Sequence, residues 1–148
     1  MRLVVLVVAV CLSACEKAPR VDLSSAPAGA IEQGIGWMAT HCLICHRVDD
    51  LTIDEMLAPP LWAVRAHYLA EYPEPQTFVN AVTAFVIDPQ ADRSLLPYAV
   101  EHYGLKAPVS LDEEKIRAVA WAIYAGQVER PVWAREYKKR YRESPAVW

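Results

Sequence analysis

Cys42-Leu43-Ile44-Cys45-His46 concentrates the reactive chemistry of this chain in five consecutive residues. Two thiols at this spacing can each add across one vinyl group of a single haem, and a histidine directly after the second thiol is placed to ligate the iron. Thioether bonds then hold the ring, so the short segment around the histidine need not retain it by burial alone. Two other chemistries use Cys-x-x-Cys. A closed zinc site takes four ligands, generally from a second Cys or His pair, but no second Cys-x-x-Cys follows, and His67 and His102 stand isolated. A thioredoxin-like dithiol belongs to a βαβ unit, and the sequence after Cys45 lacks strand-like runs. The motif therefore predicts one covalent haem c on Cys42 and Cys45, with His46 as the proximal axial ligand.

The first residues set the compartment. Met1-Arg2 is a minimal positive start, and Leu3 to Leu12 is an almost unbroken apolar run. That run is shorter than the roughly 20 residues a bilayer span needs and suits the h-region of an export signal. Leu12-Ser13-Ala14-Cys15 follows and resembles a bacterial lipoprotein box, in which the cysteine is acylated and the peptide bond before it is cut. The expected organisation is a signal peptide over 1–14, lipidation at Cys15 and a tether over 15–27 whose Ala, Pro, Ser and charged residues leave little to bury. An ordinary signal peptide that leaves Cys15 unmodified or removes it is the alternative. Two acyl chains hold a protein on a membrane where one holds it weakly. Of the four cysteines, Cys11 lies in the leader, Cys15 takes lipid, and Cys42 and Cys45 take haem, so none remains for a disulfide. The leader and the motif agree on a periplasmic, membrane-anchored location.

Composition bounds the partners. The chain has 148 residues with 15 Lys and Arg against 18 Asp and Glu, a net charge of −3, so nucleic-acid binding is not expected. Asp49, Asp50, Asp54 and Glu55 follow the motif, while Arg130, Arg135, Lys138, Lys139, Arg140 and Arg142 crowd a basic aromatic extension over 127–148. Such a tail can steer an acidic partner or touch an anionic membrane; a solvated helix face is the plainer explanation.

The elements that must position these residues read as helices punctuated by proline. The pattern predicts a helix over about Ala28 to Thr40 that ends at the motif. Pro59-Pro60 opens a second, with Leu61, Val64 and Tyr68 on one face before Pro73. Pro75 starts a third, where Phe78, Val82, Phe85 and Val86 recur at helical spacing before Pro89. Pro97 to Tyr103 forms a short helix closed by Gly104. Ser110 with Glu113 reads as the capping box of a last helix whose stripe is Ile116, Val119, Ala120 and Ile123, with Gly126 as its C-terminal cap. His41 is expected to cap the last turn of the first helix. His67 reads either as a propionate partner or as a solvent-facing residue, and Trp62 as haem-facing or as core packing elsewhere.

Over Ile31 to Gly126 the chain resembles a class I cytochrome c domain. The resemblance rests on the helix that runs into Cys42-x-x-Cys45-His46, on Gly34 eight positions before Cys42, and on Trp121 and Tyr124 in the final helix, similar to the family's aromatic pair that crosses that glycine. It implies an all-α fold of about four to five helices around one covalently bound haem, with the domain over 28–126. It also implies single-electron transfer between periplasmic or membrane redox proteins, carried by iron and needing no catalytic acid or base, so a carrier rather than an enzyme is expected.

The family places a methionine opposite the histidine, in a loop before the last helix. Here the matching segment is Gly104-Leu105-Lys106-Ala107-Pro108, with Lys106 at that position. Four arrangements stay open: ligation by Lys106 after loss of its proton, ligation by His102, ligation by Met56, or an open site with Lys106 in solvent. The last would make the protein one that binds or reduces a small ligand such as a peroxide or a diatomic gas.

Overall fold

The computed structural model describes residues 21–49, 51–105, 107 and 109–141; Cys15, Asp50, Lys106 and Arg142 lie outside them. The described residues are helical, with no strand among them, as the proline-punctuated pattern predicts. None of their helices is long and apolar enough to cross a membrane.

Helix α1 spans Ala30–Trp37 and follows Gly29, whose φ of 74° is a left-handed conformation that glycine adopts without strain. The helical path does not stop at Thr40. It widens into a π turn over Met38–Cys42, closed by the Leu43 N–H donating to Met38 O, and continues as α2 over Leu43–His46. Helices α3 (Leu61–Glu71), α4 (Pro75–Ile87) and α5 (Pro97–Tyr103) begin where the prolines direct. Pro75 and Pro97 occupy the first helical position, where the missing N–H would have had no partner and the fixed φ suits the helix, whereas Pro60 is the N-cap of α3.

Helix α6 spans Glu113–Tyr124 and forms the axis of the core, with Ala118 through Tyr124 all buried. Its start differs from the capping box expected at Ser110. Asp112 is the N-cap: its Oδ1 accepts from the Lys115 N–H at 2.9 Å, which makes Glu113 the first helical residue rather than the third. Its end is as expected, because Gly126 at φ 84° lets the Gly126 and Gln127 N–H groups donate back to Ile123 O and Ala122 O, each at 3.0 Å. Arg65 on α3 adds a clamp, donating from Nε and Nη2 to Tyr124 O, both at 3.1 Å.

Two features depart from the linear reading. Counting the 30–46 run once, the described residues hold six helical bodies rather than four or five, because the basic extension contributes α7 over Ala134–Arg140. Tyr137 on α7 is fully buried and belongs to the same core as Phe78, Trp121 and Tyr124. The tether is also shorter than expected, since Val21 and Ala26 already pack on that core.

Candidate functional site

The 30–46 helical run is held by its closest crossing. At Gly34, α1 lies so near α6 that an added Cβ would sit 2.0 Å from Ala118 O and 3.0 Å from Val119 N. Helix axes normally stay 8–10 Å apart, and only a residue without a side chain lets two backbones touch. The crossing fixes the start of the run, and the π turn sets the direction in which the motif leaves it.

Cys42, Cys45 and His46 together form part of the wall of one cavity of about 420 Å³. The remaining wall is mostly aliphatic and aromatic. Leu61, Val64 and Tyr68 come from α3, and Val82, Phe85 and Val86 from α4. Ala99, Val100 and Tyr103 come from α5, followed by Leu105, Ala107, Val109 and Leu111 from the loop and Ile116, Val119 and Ile123 from α6. Its size falls within the ~300–1,000 Å³ usual for ligand and cofactor sites. Both thiols are half-buried and unbridged. Burial, together with the neighbouring Cys45, pushes the Cys42 thiol up from 9.0 to about 11. A redox or metal-seeking dithiol needs the opposite shift, because the thiolate is the reactive form. Among the described residues no cluster of three or more His, Cys, Asp or Glu side chains is arranged to hold a metal ion.

The imidazole of His46 is oriented by the backbone. Its Nδ1 lies 2.6 Å from Pro59 O. A carbonyl oxygen can only accept, so Nδ1 carries the proton and donates, which leaves the lone pair on Nε2. A hydrogen bond of this kind fixes the ring and raises the basicity of the other nitrogen, the usual preparation of a histidine for a metal. Pro59 was legible only as half of a helix-opening Pro-Pro pair; its carbonyl carried no sequence signal of this role. These residues fit a covalently held, flat, apolar macrocycle: two thiols and a tautomerically fixed imidazole in the wall, and a mostly apolar cavity beside them.

The other candidates separate. His102 is exposed and does not line the cavity; its ring stands edge-on to Tyr103 at 4.6 Å and near Tyr141 at 5.7 Å. Met56 and Met38 are buried, but neither contributes to the cavity wall. Lys106 lies outside the described residues, although Leu105 and Ala107 on either side of it both line the cavity. His41 does border the cavity, with its Nδ1 2.8 Å from Thr40 Oγ1 and its ring 5.6 Å from Trp37. His67 packs against Tyr98 at 6.0 Å, away from the cavity.

Trp62 is not cavity-facing; it meets Tyr137 at 6.3 Å, with Arg130 and Lys138 over its ring at 5.4 and 5.6 Å. The basic tail is therefore engaged with the fold. Arg140 pairs with Asp54 and, at 3.2 Å, with Glu136, and Trp133 Nε1 donates to Leu51 O at 2.8 Å. The rings at Trp133, Tyr137 and Tyr141, four residues apart, were the overlooked signal that this segment packs as a helix.

Comparison with known proteins returns no matching family model, no matching curated protein and no matching solved structure.

Proposed function

We propose that the chain is a monohaem c-type cytochrome, similar to class I cytochromes c, that passes single electrons between periplasmic or membrane redox proteins while anchored through a lipidated Cys15. One observation carries the reading: Cys42, Cys45 and His46 meet on one wall of an apolar cavity, with the His46 tautomer fixed by Pro59 O. The bound haem supplies a one-electron change between ferrous and ferric iron. The chain supplies attachment, in which each thiol adds its S–H across one vinyl group with no atom lost. It supplies a lone pair on His46 Nε2 that would hold the iron, and a largely aliphatic wall whose low polarity would tune the potential. No acid or base takes part, since electron exchange needs proximity and an exposed ring edge.

A second reading is favoured by one feature of the cavity wall. Neither His102 nor Met56 contributes to it, so neither of these two candidates would supply a second ligand from that wall, and the alternative is a haem protein that binds or reduces a small ligand. Haem content and spin state test both. The mature chain, produced with a cytochrome maturation apparatus, should carry one covalent haem by mass and absorbance, and a Cys42→Ala, Cys45→Ala variant should carry none. A low-spin ferric EPR spectrum supports the carrier, and a high-spin spectrum the open site. A parent chain without covalent haem, or a double variant that keeps it, refutes the haem assignment.

A further inference from the structure

Four of the seven tyrosines meet in one place: Tyr98 and Tyr103 on α5, Tyr137 on α7 and Tyr141 directly after it. The Tyr98–Tyr141 and Tyr137–Tyr141 ring centroids are 4.7 and 4.6 Å apart, and Tyr98 Oη lies 3.2 Å from Tyr137 Oη. The Oη atoms of Tyr103 and Tyr141 are buried with no hydrogen-bond partner among the described residues. An orphaned buried hydroxyl carries a desolvation cost that phenylalanine, filling the same space, would not. Such groups call for a reason beyond packing, and redox chemistry is one of the few available.

The cluster opens at both ends. Tyr103 lines the cavity that holds Cys42, Cys45 and His46. From it the rings run through His102 at 4.6 Å, Tyr141 at 5.7 Å and Tyr137 at 4.6 Å to Trp133 at 5.9 Å, which is partly exposed. The alternative end, Trp62, carries two cations over its ring, which oppose the positive charge of an oxidised indole.

We propose that Tyr103, Tyr141, Tyr137 and Trp133, with the His102 ring standing between Tyr103 and Tyr141, form a one-electron relay that carries oxidising equivalents from the cavity to the surface beside α7, the oxidant being a hydroperoxide. The link to the cavity rests on the haem assignment; the relay itself rests on the rings. Reduction of a hydroperoxide breaks its O–O bond and consumes two electrons and two protons, giving an alcohol and water. Two phenols supply these, one electron and one proton each, and become tyrosyl radicals. Each radical is returned to a phenol by one electron from a reduced redox protein docked at Trp133 and one proton from water, or the two couple through a new C–C bond as dityrosine.

The full chain tests this in two arms. Flash photo-oxidation with a ruthenium polypyridyl complex and persulfate should give dityrosine within one chain, joining Tyr141 to Tyr137 or Tyr98, at a yield independent of protein concentration and lost in Tyr141→Phe. Dityrosine that forms only between chains, or at Tyr68, Tyr72 or Tyr124 instead, overturns the relay. In the second arm, hydrogen peroxide and a nitroso spin trap should give adducts on Trp133 and the clustered tyrosines of haem-loaded protein, falling several-fold in Tyr103→Phe. Adducts unchanged in that variant overturn the link to the cavity. Unaltered thermal midpoints in both phenylalanine variants exclude unfolding as the cause. A chain that forms the expected dityrosine yet shows no haem absorbance keeps the relay and removes the haem assignment instead.

Discussion

Where α1 crosses α6, contact depends on a side chain that is absent; where α7 lies against α3 and α5, it depends on the largest side chains in the protein. At Gly34 backbone meets backbone, with Ala118 O 2.0 Å from where a Cβ would stand. At the other contact Tyr137, Trp62, Trp133, Tyr98 and Tyr141 meet as tilted and edge-on rings 4.6–6.3 Å apart. A helix backbone cannot yield without breaking its own hydrogen bonds, whereas a ring can pivot about χ1 and χ2 and trade one aromatic geometry for another. The first contact is thus a positional constraint close to all-or-none, and it holds the run that carries the motif. The second is an adaptable pad that holds the loop after the motif.

Three measurements break or sharpen that contrast. The largest effect is expected at Gly34→Ala. Helix propensity alone favours alanine by about 1 kcal/mol. Overpacking against immobile backbone outweighs it, and a net loss of about 3 kcal/mol in urea unfolding is expected. Unchanged or raised stability would remove the distinction. Next is alkaline pH acting on the haem-free chain through Cys42, whose thiol rises from 9.0 to about 11 on folding. The folded state keeps a proton that the unfolded state releases. The contribution is therefore complete below pH 9 and lost as pH rises through about 11, by roughly 2–3 kcal/mol. Cys42→Ala should flatten that decline, and thioether formation should abolish it. The smallest effect is expected at Trp133→Phe, which deletes the 2.8 Å bond to Leu51 O but keeps a ring in the pad. A loss of about 1 kcal/mol is expected, and a loss equal to that of Gly34→Ala would show the pad to be as rigid as the crossing.

The sequence was most legible where one residue type has one physical consequence. Pro75 and Pro97 start their helices, and Gly104 and Gly126 follow the ends of theirs with φ of 75° and 84°. It was least legible where competing residues share a role. Ser110 and Asp112 can both cap, and only the geometry that gives Asp112 the Lys115 N–H decides between them. The basic residues of 127–148 masked the aromatic spacing beneath them, because a charge run resembles a solvated face until Tyr137 is seen in the core. In the site, the motif named Cys42, Cys45 and His46, and the structure adds that they border one cavity. The Pro59 carbonyl did not, since a backbone acceptor leaves no trace in residue type. The expected methionine position was read from a loop whose central residue, Lys106, lies outside the described residues, and the helical candidate His102 is exposed and does not line the cavity.

The π turn over Met38–Cys42 acts as a dial between the glycine crossing and the reactive pentad. Each α-helical residue advances by about 100°, so one residue absorbed into a wider turn rotates everything after it by that amount without moving the crossing. Deleting Ala39 or Thr40 would restore an ordinary helix and leave Gly34 against Ala118, while swinging both thiols and the imidazole away from the cavity. The length of this linker, rather than its chemistry, is thus what aligns anchor with payload.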